Sequence, residues 1–118
     1  LHLLQKDLRE TDIAAIKGRK DIIRHDRDIV DFADTAALCS LMDLVLSVDT
    51  SVVHLAGAIG SRTILMLPWW PDWRWGLNVE SNIWYPNMMS IRQAKPHDWS
   101  HVLNRLGTEI HKEVLKAS

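Results

Sequence analysis

Two short apolar runs near the middle of the chain, Leu44-Val45-Leu46-Ser47-Val48 and Thr63-Ile64-Leu65-Met66-Leu67, set the pattern from which the rest is read. Runs of this length, rich in branched side chains and without strict polar alternation, predict strands covered on both faces, as parallel strands between helical layers are. Between them Val52, Val53, Ala56 and Ile59 recur at helical spacing, and Gly60 supplies a C-terminal stop. Strand, helix and strand over Leu44 to Leu67 make a compact βαβ unit. Upstream, Asp34 is placed to cap a helix through Ala36, Ala37, Leu38, Leu41 and Met42, preceded by an extended piece at Asp28-Ile29-Val30. Leu1 to Gln5 reads as a strand, and residues 6–20 hold a further helix whose ends are blurred by Gly18 and dense charge. Downstream, Asp98 opens a long amphipathic helix with Trp99, Val102, Leu103, Leu106, Ile110 and Val114 on one stripe. The alternation predicts an α/β fold: a parallel sheet of four or five strands with helices on both faces.

Charge sharpens that picture. Residues 1–31 carry seven basic and seven acidic side chains, whereas Thr35 to Pro71 contains only Asp43, Asp49 and Arg62, which places the core in the middle of the chain. At 118 residues the chain is one domain's worth, residues 1–118, too short for two independent cores. A net charge of −1 leaves neither a nucleic-acid footprint nor a polybasic membrane anchor. The longest apolar run, Thr63 to Trp70, is far short of the roughly 18 residues of a spanning helix, and no basic-then-apolar leader opens the chain. A single cysteine, Cys39, fits a reducing compartment, so the cytoplasm is the expected location. The chain opens on a strand-like Leu1-His2-Leu3-Leu4, which points to a piece of something longer.

Candidate chemistry concentrates where the first apolar strand ends, at Val48-Asp49-Thr50-Ser51-Val52-Val53-His54. A buried strand running through small polar residues into a helix leaves the first-turn N–H groups without partners, and such an end favours anions, phosphate above all. Thr50 and Ser51 can add hydroxyl bonds, and His54, one turn in, can face the same crevice outside the carboxyl ends of the strands. Asp-Thr-Ser ahead of an apolar helix is equally an ordinary N-cap, and the pattern alone leaves both readings open. Six large rings, five Trp and Tyr85, fall within the 17 residues from Trp69 to Tyr85. They read as a stacking surface for sugars or bases, or as a loop that seals the core or docks another domain. The second reading is preferred for most of them, and Arg74, between Trp73 and Trp75, is the one member with a ligand role in view. His97 and His101 have a chelating spacing but no third ligand nearby, so they read as solvated helix-start residues and no metal is expected. Cys39 reads as a small core residue. No dinucleotide, Walker or nucleophile-elbow motif occurs.

The stretch Val48 to Ala58 resembles the nucleotide-sugar motif in the C-terminal half of heptosyltransferase-like (family 9) glycosyltransferases, particularly bacterial tetratricopeptide-repeat proteins that end in such a domain. Asp31-Phe32-Ala33-Asp34-Thr35-Ala36-Ala37-Leu38, Pro71-Asp72-Trp73-Arg74-Trp75 and Trp84-Tyr85-Pro86 resemble further blocks of that subfamily, in order, over about residues 28–105. The resemblance implies one Rossmann-like, three-layer half of a GT-B enzyme, the half that holds the nucleotide-sugar donor. It implies that Asp49 contacts the donor sugar or near phosphate, that Thr50 and Ser51 bind the diphosphate with His54 in support, and that Val30, Asp31 and Phe32 lie near the base. Ser51 stands where heptosyltransferases have Gly, and Arg62-Thr63 where the subfamily often has Lys-Pro. The catalytic base would come from the N-terminal half, so no residue here is expected to be catalytic, the stretch is expected to be inactive alone, and no metal or other cofactor is expected. The partners implied are the nucleotide-sugar donor and the rest of the same chain, including a tetratricopeptide-repeat region. The competing expectation is a non-catalytic Rossmann-like module that uses its Trp-rich loop for protein contact.

Overall fold

A computed structural model describes residues 1–76 and 80–118, and they form an α/β fold with parallel strands. The chain divides into two compact units, Leu1–Leu41 and Met42–Ser118.

In the first unit, β1 (His2–Leu3) pairs in parallel with β2 (Ile23–Arg24), and α1 (Glu10–Ile16) lies between them in sequence. The extended piece expected at Asp28-Ile29-Val30 is instead the end of a turn, in which the N–H groups of Asp28 and Ile29 donate to His25 O. The alternating Asp26-Arg27-Asp28 charges favour that solvated turn, and the strand forms one step earlier at Ile23. Helix α2 (Phe32–Leu41) starts before the expected cap. Asp31 Oδ1 accepts from the N–H groups of Ala33 (2.8 Å) and Asp34 (3.2 Å), so Asp31 is the cap. The Asp34 carboxylate reaches back to the N–H groups of Val30 and Asp31, a reciprocal arrangement that satisfies donors on both sides of the helix start. The dense charge of this unit resolves into local ion pairs, Arg9 with Asp12, Arg19 with Asp21 and Arg24 with Asp26. Arg19 draws the Asp21 carboxyl down to about 2. Pairs as exposed as these add little to stability.

The second unit carries a parallel sheet in the order β3 (Val45–Val48), β4 (Thr63–Leu67), β5 (Met88–Arg92). The five strands among the described residues thus pair as sheets of two and three, where the sequence led to the expectation of one sheet of four or five. Strand β5 lies outside the predicted elements because Ser90 and Arg92 interrupt its apolar run. β4 is buried on both sides because successive residues face opposite helices. Leu65 and Leu67 pack with Val53 of α3 (Ser51–Ala58) and with Trp75 and Met88. Ile64 packs with Ile91 and with Val102 and Leu106 of α4 (Ser100–Ala117). Helix, sheet and helix form three layers, a Rossmann-type arrangement. The stripe of α4 is narrower than its sequence pattern, with Leu103 and Val114 exposed and Val102, Leu106 and Ile110 turned inward. Asp98 caps it as expected, accepting from Ser100 N–H at 2.9 Å, and the Ser100 hydroxyl, together with that backbone bond, lowers the Asp98 carboxyl.

One glycine governs the packing of α3. A Cβ on Gly57 would stand 2.5 Å from Tyr85 Cγ and 2.7 Å from Cδ1, so the ring lies directly on the helix backbone. Gly107, in α4, has nothing within 4 Å of the same construction. An exposed helical Gly→Ala change ordinarily stabilises by about 0.5–1 kcal/mol, whereas forcing a carbon into a packed ring costs about 1–3 kcal/mol. Urea denaturation of G107A is therefore expected to show a gain and that of G57A a net loss. A gain for both would mean that Tyr85 does not pack on α3 in solution.

Candidate functional site

Parallel pairing brings the carboxyl ends of β3, β4 and β5 to one edge of the sheet, and there the chain makes its polar turns. β3 runs out at Val48 into Asp49 and Thr50. β4 runs out at Leu67 into Pro68-Trp69-Trp70, and β5 runs out at Arg92 into Gln93. Buried Gln93 ties two of these ends together: its N–H donates to Leu67 O (3.0 Å) and its Oε1 accepts from Trp69 N–H (2.9 Å).

Thr50 is extended at φ −140° and ψ 173° and makes no side-chain cap to α3. Its hydroxyl turns instead toward Ser47 Oγ at 3.4 Å, and Val53 N–H closes a tight turn onto Thr50 O at 3.1 Å. Of the two readings the sequence left open, the ordinary hydroxyl N-cap is absent. The first-turn N–H groups of α3 remain without a side-chain acceptor, next to the exposed hydroxyl residues Thr50 and Ser51.

His54, half-buried, is held on several sides. Its Nδ1 is 3.1 Å from Tyr85 Oη. Its ring stacks on Trp75 with centroids 5.2 Å apart and planes 25° apart, and meets Tyr85 edge-on at 5.9 Å. Its Nε2 is 3.7 Å from Asp49 Oδ1, a close approach longer than a hydrogen bond. Asp49 and His54, five residues apart, are thus brought together by the turn between β3 and α3. Tyr85 is fixed in turn by Asn82, whose Oδ1 accepts from the N–H groups of Trp84 (2.8 Å) and Tyr85 (3.0 Å). Trp75 is 3% exposed, and its Nε1 has no hydrogen-bond partner among the described residues; the same holds for Arg92 Nη1, while Arg92 Nη2 donates to Gly76 O.

The Trp-rich stretch does not seal the core as a whole. Trp75 is buried, but Trp70 and Trp73 are 81% and 80% exposed, and Trp69 and Trp84 keep substantial exposure. Of the two structural roles expected for these rings, sealing the core falls to Trp75, because Trp73–Trp75 forms a single 3-10 turn that turns one ring inward and leaves its neighbour outside. Arg74, singled out for a ligand role, is engaged by Asp72, whose Oδ1 is 3.0 Å from both Arg74 Nε and Arg74 N. These bonds from the Arg74 backbone and guanidinium, with a smaller contribution from His54, hold the Asp72 carboxyl below the usual carboxylate range.

Val30, Asp31 and Phe32 belong to the first unit. Val30 and Phe32 are exposed, Val30 O accepts from Lys6 Nζ at 2.7 Å, and the Asp31 carboxylate is occupied by capping. Cys39 is buried, which pushes its thiol up. His97 and His101 are exposed, and among the described residues no three His, Cys, Asp or Glu side chains converge to hold a metal ion. No described helix is long and apolar enough to cross a membrane.

What the sequence could not reveal is the role of Tyr85 and Trp75 as the partners of His54. Both were visible only as members of an aromatic run, since a contact across 31 positions leaves no periodic trace.

No protein-family model matches the chain, and no solved structure does. Over 80 residues the chain is 32% identical to Protein FlbA of Caulobacter vibrioides. The matched stretch covers 68% of this chain but only 13% of FlbA.

The Asp72 carboxylate organises the Trp73–Trp75 turn, and the sign of its pH dependence follows from its lowered value. Its contribution is complete above the ordinary carboxylate range of about 4 and is lost only as the pH falls through the depressed value. The amide signals of Arg74 and Trp75 are expected to titrate below that range, and D72N is expected to abolish the transition. Titration at the ordinary carboxylate value would contradict the bonds described.

Proposed function

We propose that this chain is the donor-binding domain of a heptosyltransferase-like glycosyltransferase, the half of a GT-B enzyme that holds a nucleoside-diphosphate sugar. The observation that carries the reading is the β3–α3 turn, where an uncapped helix start, Asp49 and His54 meet at the carboxyl edge of a parallel sheet. The residues divide the work by charge. First-turn N–H groups of α3, with Thr50 and Ser51, offer donors to the diphosphate oxygens, and Asp49 offers an acceptor to sugar hydroxyls. The base that activates the acceptor, and further cationic groups for the leaving diphosphate, would come from the rest of the enzyme, so the domain alone binds without turning over and, on this reading, needs no metal. A cytoplasmic setting fits a nucleotide-sugar substrate and a chain with a single cysteine.

A second reading rests on a different observation. Trp70, Trp73, Ile83 and Trp84 expose large apolar surfaces on one stretch of chain, as protein-contact residues do. In that case the fold is an interaction module and the β3–α3 turn binds no ligand.

Titration of the domain with UDP, ADP and GDP, followed by NMR, separates the two. The donor-binding reading expects amide shifts concentrated on Asp49 to His54, lost in D49N and H54A. A flat response at millimolar nucleotide, with a partner contact abolished by W70A or W73A, would favour the second reading.

A further inference from the structure

We propose that Tyr85 is a positioning residue that holds His54 as its Nε2–H tautomer, so that His54 presents a hydrogen-bond donor, and not a proton acceptor, to the crevice. The inference follows from what stands at each ring nitrogen. A neutral imidazole carries one N–H and one lone pair, and its surroundings decide which nitrogen has which. On the Nε2 side, 3.7 Å away, is Asp49 Oδ1. A carboxylate attracts an N–H and repels a lone pair, so the proton belongs on Nε2. Nδ1 is then the acceptor, and its neighbour at 3.1 Å, Tyr85 Oη, is the donor. A phenol can play that part because its hydroxyl both donates and accepts.

The remaining contacts keep the ring from turning to exchange its nitrogens. Trp75 stacks on one face of the imidazole, Tyr85 meets it edge-on, and Tyr85 is itself seated on the bare backbone of Gly57 and anchored by Asn82. The charged groups near His54 are Asp49 and, more weakly, Asp72. Because Nε2 stops short of hydrogen-bond distance to Asp49, its N–H is free to donate to a ligand oxygen entering between them. What that oxygen belongs to rests on the donor-site reading, where it is a phosphate or sugar oxygen of the nucleotide sugar; the tautomer does not rest on it.

The test is the imidazole 15N spectrum of the unliganded protein at a pH where His54 is neutral, with its signals assigned by their loss in H54Q. The wild-type protein is expected to show a pyridine-like Nδ1 and a pyrrole-like Nε2. Tyr85→Phe keeps the ring on Gly57 but removes the hydroxyl, and its Nδ1 and Nε2 signals are expected to move toward the average of a tautomer mixture. Unchanged backbone amide shifts away from the site would establish that the variant is folded. A protonated Nδ1 in the wild type, or a Tyr85→Phe spectrum identical to it, would overturn the proposal. In the same variant the affinity for UDP is expected to fall about twofold for an even mixture, since only the Nε2–H fraction presents the donor. If the tautomer is as described and no nucleotide binds, the donor-site reading fails and the positioning role stands; if UDP binds at Asp49 to His54 and the tautomer is wrong, the reverse holds.

Discussion

Tyr85 occupies the space a Cβ on residue 57 would need, 2.5 Å from its Cγ, and the geometry at the carboxyl edge of the sheet depends on that close approach. With the ring seated on the backbone of α3, its hydroxyl reaches one turn back along the helix to His54. With His54 fixed, Trp75 has a flat partner to stack on, and the 3-10 turn that carries it is drawn into the core beside Leu65 and Leu67. Three segments distant in sequence are thereby locked together without an ion pair between them. Helix propensity pulls the other way, since Gly is unfavourable in a helix interior by about 1 kcal/mol, so the helix gives up local stability for an approach that only glycine permits.

The sheet provides the other half of the constraint. β4 is covered by α3 on one face and α4 on the other, which fixes the direction of all three parallel strands and collects their carboxyl ends at one edge. Backbone donors at the start of α3 and the His54 imidazole then face a region that also holds the Asp49 carboxylate. Donors and an acceptor side by side suit a ligand that carries both anionic oxygens and hydroxyl groups, as a sugar diphosphate does. They suit a purely cationic or purely apolar ligand much less well.

The features legible in the sequence were those encoded locally. The β4 boundaries, the α3 start at Ser51 and the Asp98 cap all follow from patterns within a few residues of each other. The features that escaped notice were settled by distant contacts. β5 is recognisable only from its pairing with β4, since Ser90 and Arg92 break its pattern. Asp31 rather than Asp34 caps α2 because Asp34 is recruited to the N–H groups of Val30 and Asp31. The division of the Trp residues into one buried ring and several exposed ones depends on the phase of a three-residue turn, which composition cannot convey.

Phosphate binding at the uncapped start of α3, as proposed, is tested by calorimetric titration of whichever nucleoside diphosphate binds best, set beside its monophosphate and its free nucleoside. Charge-assisted hydrogen bonds are worth about 1.5–3 kcal/mol each. The affinity is therefore expected to climb with each phosphate, with the diphosphate at least about tenfold tighter than the nucleoside. Equal affinities across the three, or no binding by any of them, would contradict it.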